Sequence, residues 1–170
     1  MSADPRVLAH LERLGVPHEV LPCDPDLADT AAFCEAYGFS PTESANTIIV
    51  VGKSDPPVHV ACVVLASTRL DVNNSVRRRL GVKKASFADA AQTIGLTGMQ
   101  IGGVTALGLP PDLPVWVDAR VVAQARIVLG GGTRSAKIVG PPALLTAQPQ
   151  VTVVDGLAIE IPPRPEPEPA

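Results

Sequence analysis

Two glycine-rich segments are the parts of this sequence best suited to chemistry. Gly102–Pro110 holds three glycines and a proline in nine residues, which excludes a helix or a regular strand. Gly130–Arg134 begins with three consecutive glycines. Such loops let a ligand approach bare main chain, and their N–H groups can bind an oxyanion or a phosphate. A tight connection between core elements is the alternative interpretation, because glycine-rich loops are common.

The common catalytic and metal-binding motifs are absent from the sequence. There is no GxSxG elbow, no P-loop and no HExxH, and neither glycine run fits GxGxxG. The three histidines lie far apart, and the three cysteines form no CxxC pair, which argues against a zinc site and a disulfide framework. What remains favours a reaction that needs a positioned water and a stabilised oxyanion, with no metal and no cofactor.

Length and composition predict one globular domain. The chain has 170 residues, of which 46% are hydrophobic and 3% aromatic, so the core must consist of Val, Leu, Ile and Ala. We expect a single domain over residues 1–160 and a disordered Pro/Glu-rich tail over residues 161–170. The sequence shows no signal peptide and no apolar run long enough to cross a membrane, which predicts a cytoplasmic protein.

Charge is distributed unevenly along the chain. The formal net charge is −3, so the whole molecule does not attract nucleic acid. The segment from Arg69 to Lys84, however, contains six basic residues and a single acidic one, Asp71. This local excess can contact phosphates, or it can be the solvated face of a helix.

The hydrophobic pattern predicts helices and strands in an irregular order. Helices are predicted over residues 4–14, 30–37, 71–80, 86–95 and 141–146. Strands are predicted over residues 18–21, 46–51, 58–65, 114–118, 125–129, 136–139 and, as the last one, 151–154. Because βα units do not repeat, the pattern favours an α+β fold with a mixed, curved sheet.

Four segments, in this order and spacing, resemble the YbaK/EbsC family: Glu43–Val51, Gly102–Pro110, Leu113–Asp118 and Gly130–Arg134. The family includes the editing domain inserted in bacterial prolyl-tRNA synthetases. The resemblance implies an α+β fold with a mixed, barrel-like sheet flanked by helices. It also implies hydrolysis, without a metal, of the ester that joins a wrong amino acid to a tRNA 3′ end. The implied substrate is a small amino acid such as alanine or cysteine on tRNA-Pro.

The resemblance also implies a set of site residues. Three are implied to be catalytic: Asn46, Gly102 and Gly103. The implied contacts to the acceptor end of the aminoacyl-tRNA are Thr47, Thr105, Ala106, Asp118, Gly130, Gly131, Thr133, Arg134 and Lys137. An aminoacyl-tRNA synthetase is an additional implied partner.

Three positions depart from the pattern of the family. Family members commonly carry Lys where this chain has Asn46, and Pro where it has Ala106. A Ser and an Asp often found around the second glycine loop are matched here by Gly130 and Lys137. We hypothesise that Lys137 restores the missing positive charge from the other side of the pocket. The alternative is a catalytically lapsed module that binds a nucleotide, an amino acid or a synthetase.

Overall fold

The computed structural model describes residues 3–161, so the predicted tail lies outside the described residues except for Ile161. The helices in this range are α1 Pro5–Leu14, α2 Thr30–Tyr37, α3 Arg77–Leu80, α4 Ala90–Thr97, α5 Ala119–Val122 and α6 Ala143–Thr146. The strands are β1 Glu19–Pro22, β2 Ala45–Gly52, β3 Val58–Leu65, β4 Thr68–Leu70, β5 Ala85–Phe87, β6 Val115–Asp118, β7 Ile127–Gly130, β8 Ala136–Gly140, β9 Val151–Val154 and β10 Ala158–Glu160. Within residues 3–161, no helix combines the length and apolar character needed to cross a bilayer.

The strands form three separate sheets. The largest has the order β5-β2-β3-β6-β9, with antiparallel pairing from β5 to β3 and parallel pairing from β3 to β9. A second sheet has the order β1-β8-β7, and β10 pairs with β4 in a third. The predicted mixed α+β architecture is confirmed, but the sheets do not close into a barrel.

The sheets stay open because the first two of them are joined at only one point. β2 and β7 approach each other through one parallel bridge, between Ser44 and Val128. There the N–H of Val128 donates to the carbonyl of Glu43 at 2.8 Å. Beyond this bridge the two strands diverge, and no ladder between them is formed in the part of the chain that the structure describes. The divergence leaves a cleft between the sheets.

The core lies on both faces of the largest sheet, because successive side chains of a strand point to opposite sides. Ile49 is 2% exposed and packs toward α1 and the second sheet, whereas Val50 is 0% exposed and packs toward the segment before α3. A third cluster, around Phe33, lies under α2. These clusters hold β2, and with it the wall of the cleft, in place.

Three predicted elements differ in the structure. The helix predicted from Ser86 begins later: residues 85–87 form β5, and Asp89 caps α4 through a capping box with Gln92. Pairing of Ser86 with Val51 of β2 overrides the local helical preference. The helix predicted over 71–80 starts with a π-helical turn over 72–76, and β9 is followed by β10.

Candidate functional site

The cleft between β2 and β7 has a volume of about 330 Å³. Five of the predicted site residues line it: Asn46, Thr47, Gly102, Gly130 and Lys137. They come from β2, the first glycine loop, β7 and β8, which are far apart in sequence. The divergence of the two sheets therefore assembles these residues at one place.

The main chain of β2 is unpaired along the cleft. On this edge β5 pairs only with Val50–Gly52, and the last hydrogen bond runs from the N–H of Ala88 to the carbonyl of Ile49 at 2.9 Å. Since residues i and i+2 of a strand direct their main-chain groups to the same side, the N–H and C=O of Thr47 face this open edge. The Oγ1 atom of Thr47 is also buried without a hydrogen-bond partner among residues 3–161. The edge thus offers polar groups to a ligand.

Lys137 is a buried cation in the wall of the cleft. Its side chain is 7% exposed, and Nζ donates to the carbonyl of Ala28 at 2.7 Å and lies 3.5 Å from the carbonyl of Gly102. Nζ also lies 5.3 Å from the centre of the Phe33 ring. Burial lowers the pKa of Lys137. The hypothesis that this residue faces the same cleft as Asn46 and Gly102 therefore agrees with the geometry.

Asn46 is held by a neighbouring hydroxyl. The Oγ1 atom of Thr30, at the start of α2, donates to Oδ1 of Asn46 at 2.8 Å. The Nδ2 group has no hydrogen-bond partner among residues 3–161 and remains available for a ligand. Together, the cleft presents an ammonium, a carboxamide and main-chain groups, and such donors can position a carbonyl and stabilise an oxyanion.

The two glycine loops pack main chain against main chain. A Cβ at Gly103 would collide with the main chain of Thr133, and a Cβ at Gly130 would lie 2.6 Å from the carbonyl oxygen of Val104. The N–H of Gly103 donates to Gln100 at 2.9 Å, and its carbonyl accepts from Gly132 at 2.7 Å. Both main-chain hydrogen-bonding groups of Gly103 are thus engaged within the loops, and Gly103 is not among the residues that line the cleft.

Arg134 stands outside the cleft and ties its walls together. Nε donates to the carbonyl of Pro25 at 3.0 Å, and Nη1 lies 3.2 Å from both the Asp29 carboxylate and the Ile101 carbonyl. Gly102, at φ +90°, leaves room for this guanidinium, which a Cβ there would strike. The structure favours a positioning role for Arg134 over the predicted substrate contact.

Five further predicted residues lie elsewhere. Thr105 and Ala106 are fully buried and do not line the cleft. The carbonyl of Gly131 accepts from the N–H of Asp4 at 2.8 Å, and the hydroxyl of Thr133 accepts from Ser135 at 3.2 Å. The carboxylate of Asp118 is buried at the start of α5. For these residues the geometry favours packing over substrate contact.

Asp118 provides a test of this assignment. Its carboxylate accepts hydrogen bonds from the N–H groups of Arg120 at 2.9 Å and Ala158 at 2.8 Å, so it joins α5 to β10. We expect Asp118→Ala to cost about 2 kcal/mol, because one buried and one partly buried N–H group lose their acceptor. A thermal unfolding scan should show a melting temperature lower by about 4–8 °C.

Asp155→Ala, at an exposed position, is the matched control and should leave the melting temperature unchanged. Activity per folded molecule of Asp118→Ala should equal that of the wild type well below its melting temperature. A large loss of activity without a loss of stability would instead assign Asp118 to the site.

Sequence reasoning missed several residues of the cleft: Ala28, Asp29, Thr30, Ser44, Ala88 and Thr93. A signal was present for Thr30, because it was predicted at a helix start, where main-chain N–H groups are free and side-chain hydroxyls often bond nearby groups. Ser44 and Ala88 carry no such signal. Among residues 3–161, no group of three or more His, Cys, Asp or Glu side chains is placed to hold a metal ion.

The chain is similar to proteins of known family and structure. A family model described as aminoacyl-tRNA editing domain matches residues 24–147. The fold is similar to the crystal structure of hypothetical protein APE2540, with a TM-score of 0.78 and 26% identity over 87% of this chain and 97% of that one. It is also similar to a candidate trans-editing enzyme for prolyl tRNA synthetase, with a TM-score of 0.78 and 24% identity over 94% of this chain and 99% of that one.

Proposed function

The chain belongs to the aminoacyl-tRNA editing domain family, and we propose that it is a freestanding trans-editing deacylase that hydrolyses the ester of a mischarged tRNA. The main support for this proposal is that Lys137 and the unpaired edge of β2 line the same cleft. The proposed substrate is a small amino acid such as alanine or cysteine, with tRNA-Pro as the first tRNA to test. We further propose that it acts in the cytoplasm.

The proposed reaction needs no side-chain nucleophile. The oxygen of a water molecule bonds to the ester carbonyl carbon, the ester C–O bond breaks, and the departing ribose oxygen takes a proton from that water. The products are a free amino acid and an intact tRNA. Lys137 and the N–H of Thr47 would stabilise the oxyanion that forms on the carbonyl, and Asn46 would orient the amino acid or the terminal ribose.

The size of the cleft supports a small amino acid. A volume of about 330 Å³ is near the lower end of the range for ligand pockets, so an aminoacyl group and its ribose would nearly fill it. An apolar pocket discriminates between amino-acid side chains mainly by size, and one methylene changes the binding free energy by only about 1–3 kcal/mol. We therefore expect a graded preference among small amino acids.

The test is deacylation of a panel of mischarged tRNAs by the purified protein, with Asn46→Lys as a second enzyme. We expect the native protein to release amino acid above the spontaneous rate. The variant should bring no gain, because a new ammonium would lie across the same cleft from Lys137 and repel it.

The same assay tests the alternative of a lapsed catalyst. If Asn46→Lys released amino acid and the native protein did not, the absence of the family's lysine would explain the lack of activity. If neither protein released amino acid but the native protein bound tRNA or a synthetase, the protein would have a binding role. Release by the native protein would contradict both of those readings.

A further inference from the structure

A second cavity, of about 620 Å³, lies at the outer edge of β5. Four basic side chains line it: Lys53, Arg77, Lys83 and Lys84. No acidic residue is among the residues that line this cavity. We name this surface the basic pocket.

The cations of the basic pocket are not neutralised within the described part of the chain. None of the four salt bridges in residues 3–161 includes them. Lys53, Lys83 and Lys84 are exposed. The guanidinium of Arg77 is fixed by the carbonyls of Asn73 at 2.7 Å and Val82 at 3.3 Å, neither of which removes its charge. The pocket is therefore a positively charged surface in which the arginine is held in place.

The rest of the protein repels a polyanion. Outside Arg69–Lys84 the chain has eight basic and sixteen acidic residues, so a net charge of −8 stands against +5 within this segment. A polyanion that approaches such a molecule is guided toward this basic segment and away from the acidic parts of the surface. The charge distribution thus supports one orientation of a bound nucleic acid.

The basic pocket lies next to the candidate active site. Ser86 lines the pocket and Ala88 lines the cleft, so β5 separates the two. On the neighbouring strand, Ile49 lines the cleft and Val51 lines the pocket. These residues are about 7 Å apart along a strand. The pocket and the cleft are therefore neighbours, and the unpaired nucleotides of a tRNA 3′ end can span the distance between them.

We propose that the basic pocket binds the sugar-phosphate backbone of the tRNA acceptor stem, from which the 3′ end crosses β5 into the cleft. This inference rests on the proposed function and names the surface that receives the nucleic acid. Lysines and an arginine around a depression bind phosphates without reading bases, which suits a stem whose A-form groove is recognised by shape and backbone.

Phe87 lies in β5 between Ser86 of the pocket and Ala88 of the cleft, and its side chain points to the opposite face of the strand. Its ring is 57% exposed and lines an apolar groove of about 340 Å³. Asn46 and Ile48 line both this groove and the cleft, so the two cavities adjoin at β2. An exposed ring at this place can stack on one base of the single-stranded 3′ end.

Binding of uncharged tRNA, measured by fluorescence anisotropy over a series of salt concentrations, tests the proposal. The main variant combines Lys53→Ala, Lys83→Ala and Lys84→Ala. Because each lost phosphate contact removes about 0.7–0.9 from the slope of log affinity against log salt, we expect the slope to fall by about 2. At low salt the affinity should fall at least about tenfold.

Two further variants make the test specific. Arg13→Ala removes an exposed cation from α1, on another part of the surface, and should leave affinity and slope unchanged. Phe87→Ala should weaken binding about tenfold at an unchanged slope, because it removes stacking and no charge. Melting temperatures equal to that of the wild type would show that all three proteins are folded.

The outcomes separate this inference from the proposed function. Wild-type affinity and slope in the triple variant, or no tRNA binding by the wild type, would overturn the basic pocket as the docking surface. If the triple variant bound tRNA like the wild type, deacylation by the wild type would still support the proposed function. Conversely, pocket-dependent tRNA binding without hydrolysis of any mischarged tRNA would support the docking surface and reject the deacylase.

Discussion

Lys137→Met is expected to slow deacylation of a mischarged tRNA about ten- to hundredfold under saturating, single-turnover conditions. The substitution removes the buried ammonium of the cleft, and a charge-assisted hydrogen bond to a developing oxyanion contributes about 1.5–3 kcal/mol. The side chain of methionine keeps most of the volume, so the Phe33 cluster should remain packed. Rapid-quench measurement of the released amino acid gives the rate constant.

The matched control is Lys53→Met, the same substitution at an exposed lysine of the basic pocket. It should change the concentration of enzyme needed for saturation and leave the saturated rate constant unchanged. A saturated rate constant for Lys137→Met within twofold of the wild type would contradict the role proposed for Lys137.

The pH dependence gives a second signature of Lys137. Burial lowers its pKa in the folded protein below the ordinary value of 10.5, so the charged form is penalised there. The free energy of unfolding should therefore gain from this residue as pH rises from the lowered pKa to 10.5, and this gain should be absent in Lys137→Met. After subtraction of spontaneous hydrolysis, the native rate should fall over the same alkaline range.

Gly103→Ala is expected to lower the free energy of unfolding more than Asp118→Ala does. The added methyl group would collide with the main chain of Thr133, and main chain cannot move aside as a flexible side chain does. Overpacking of this kind costs about 3 kcal/mol, which corresponds to a melting temperature lower by about 6–12 °C. Differential scanning calorimetry measures this shift.

Gly95→Ala is the control for Gly103→Ala, because it adds the same methyl group within α4, where nothing lies within 4 Å. Alanine is the better helix former, so this variant should be more stable than the wild type by about 0.5–1 kcal/mol. If Gly103→Ala melted at the wild-type temperature, the two glycine loops would not be packed as described.

Elements with a strong local pattern were predicted correctly. α1 has apolar residues at helical spacing and a glycine at its end, and β2 and β3 are long runs of β-branched residues, so both kinds of element appear where the sequence places them. β5 was mistaken for the start of a helix, because its three residues are strand only by pairing with β2. Short elements such as β4, β10 and α5 depend on tertiary contacts in the same way.

The site was predictable only in part. Composition pointed to the glycine loops, and the resemblance pointed to Asn46 and Lys137, which do meet in one cleft. Sequence could not tell that the carboxylate of Asp118 is turned to α5 and β10, nor that Gly103 uses both its main-chain groups within the loop pair. These outcomes depend on the direction of each group in space, which residue types do not specify.

The opening between β2 and β7 also bears on solubility. A strand with a bare edge is normally a template for another chain and a risk for aggregation. Here the bare stretch of β2 is recessed between two sheets, where an incoming strand would meet Gly130 and Lys137 before it could pair. One of the two outer strands of this sheet, β5, is only three residues long and follows two lysines, which discourages strand pairing at that margin. The unpaired main chain of β2 is thus open to a small ligand but shielded from pairing with a second copy of the chain.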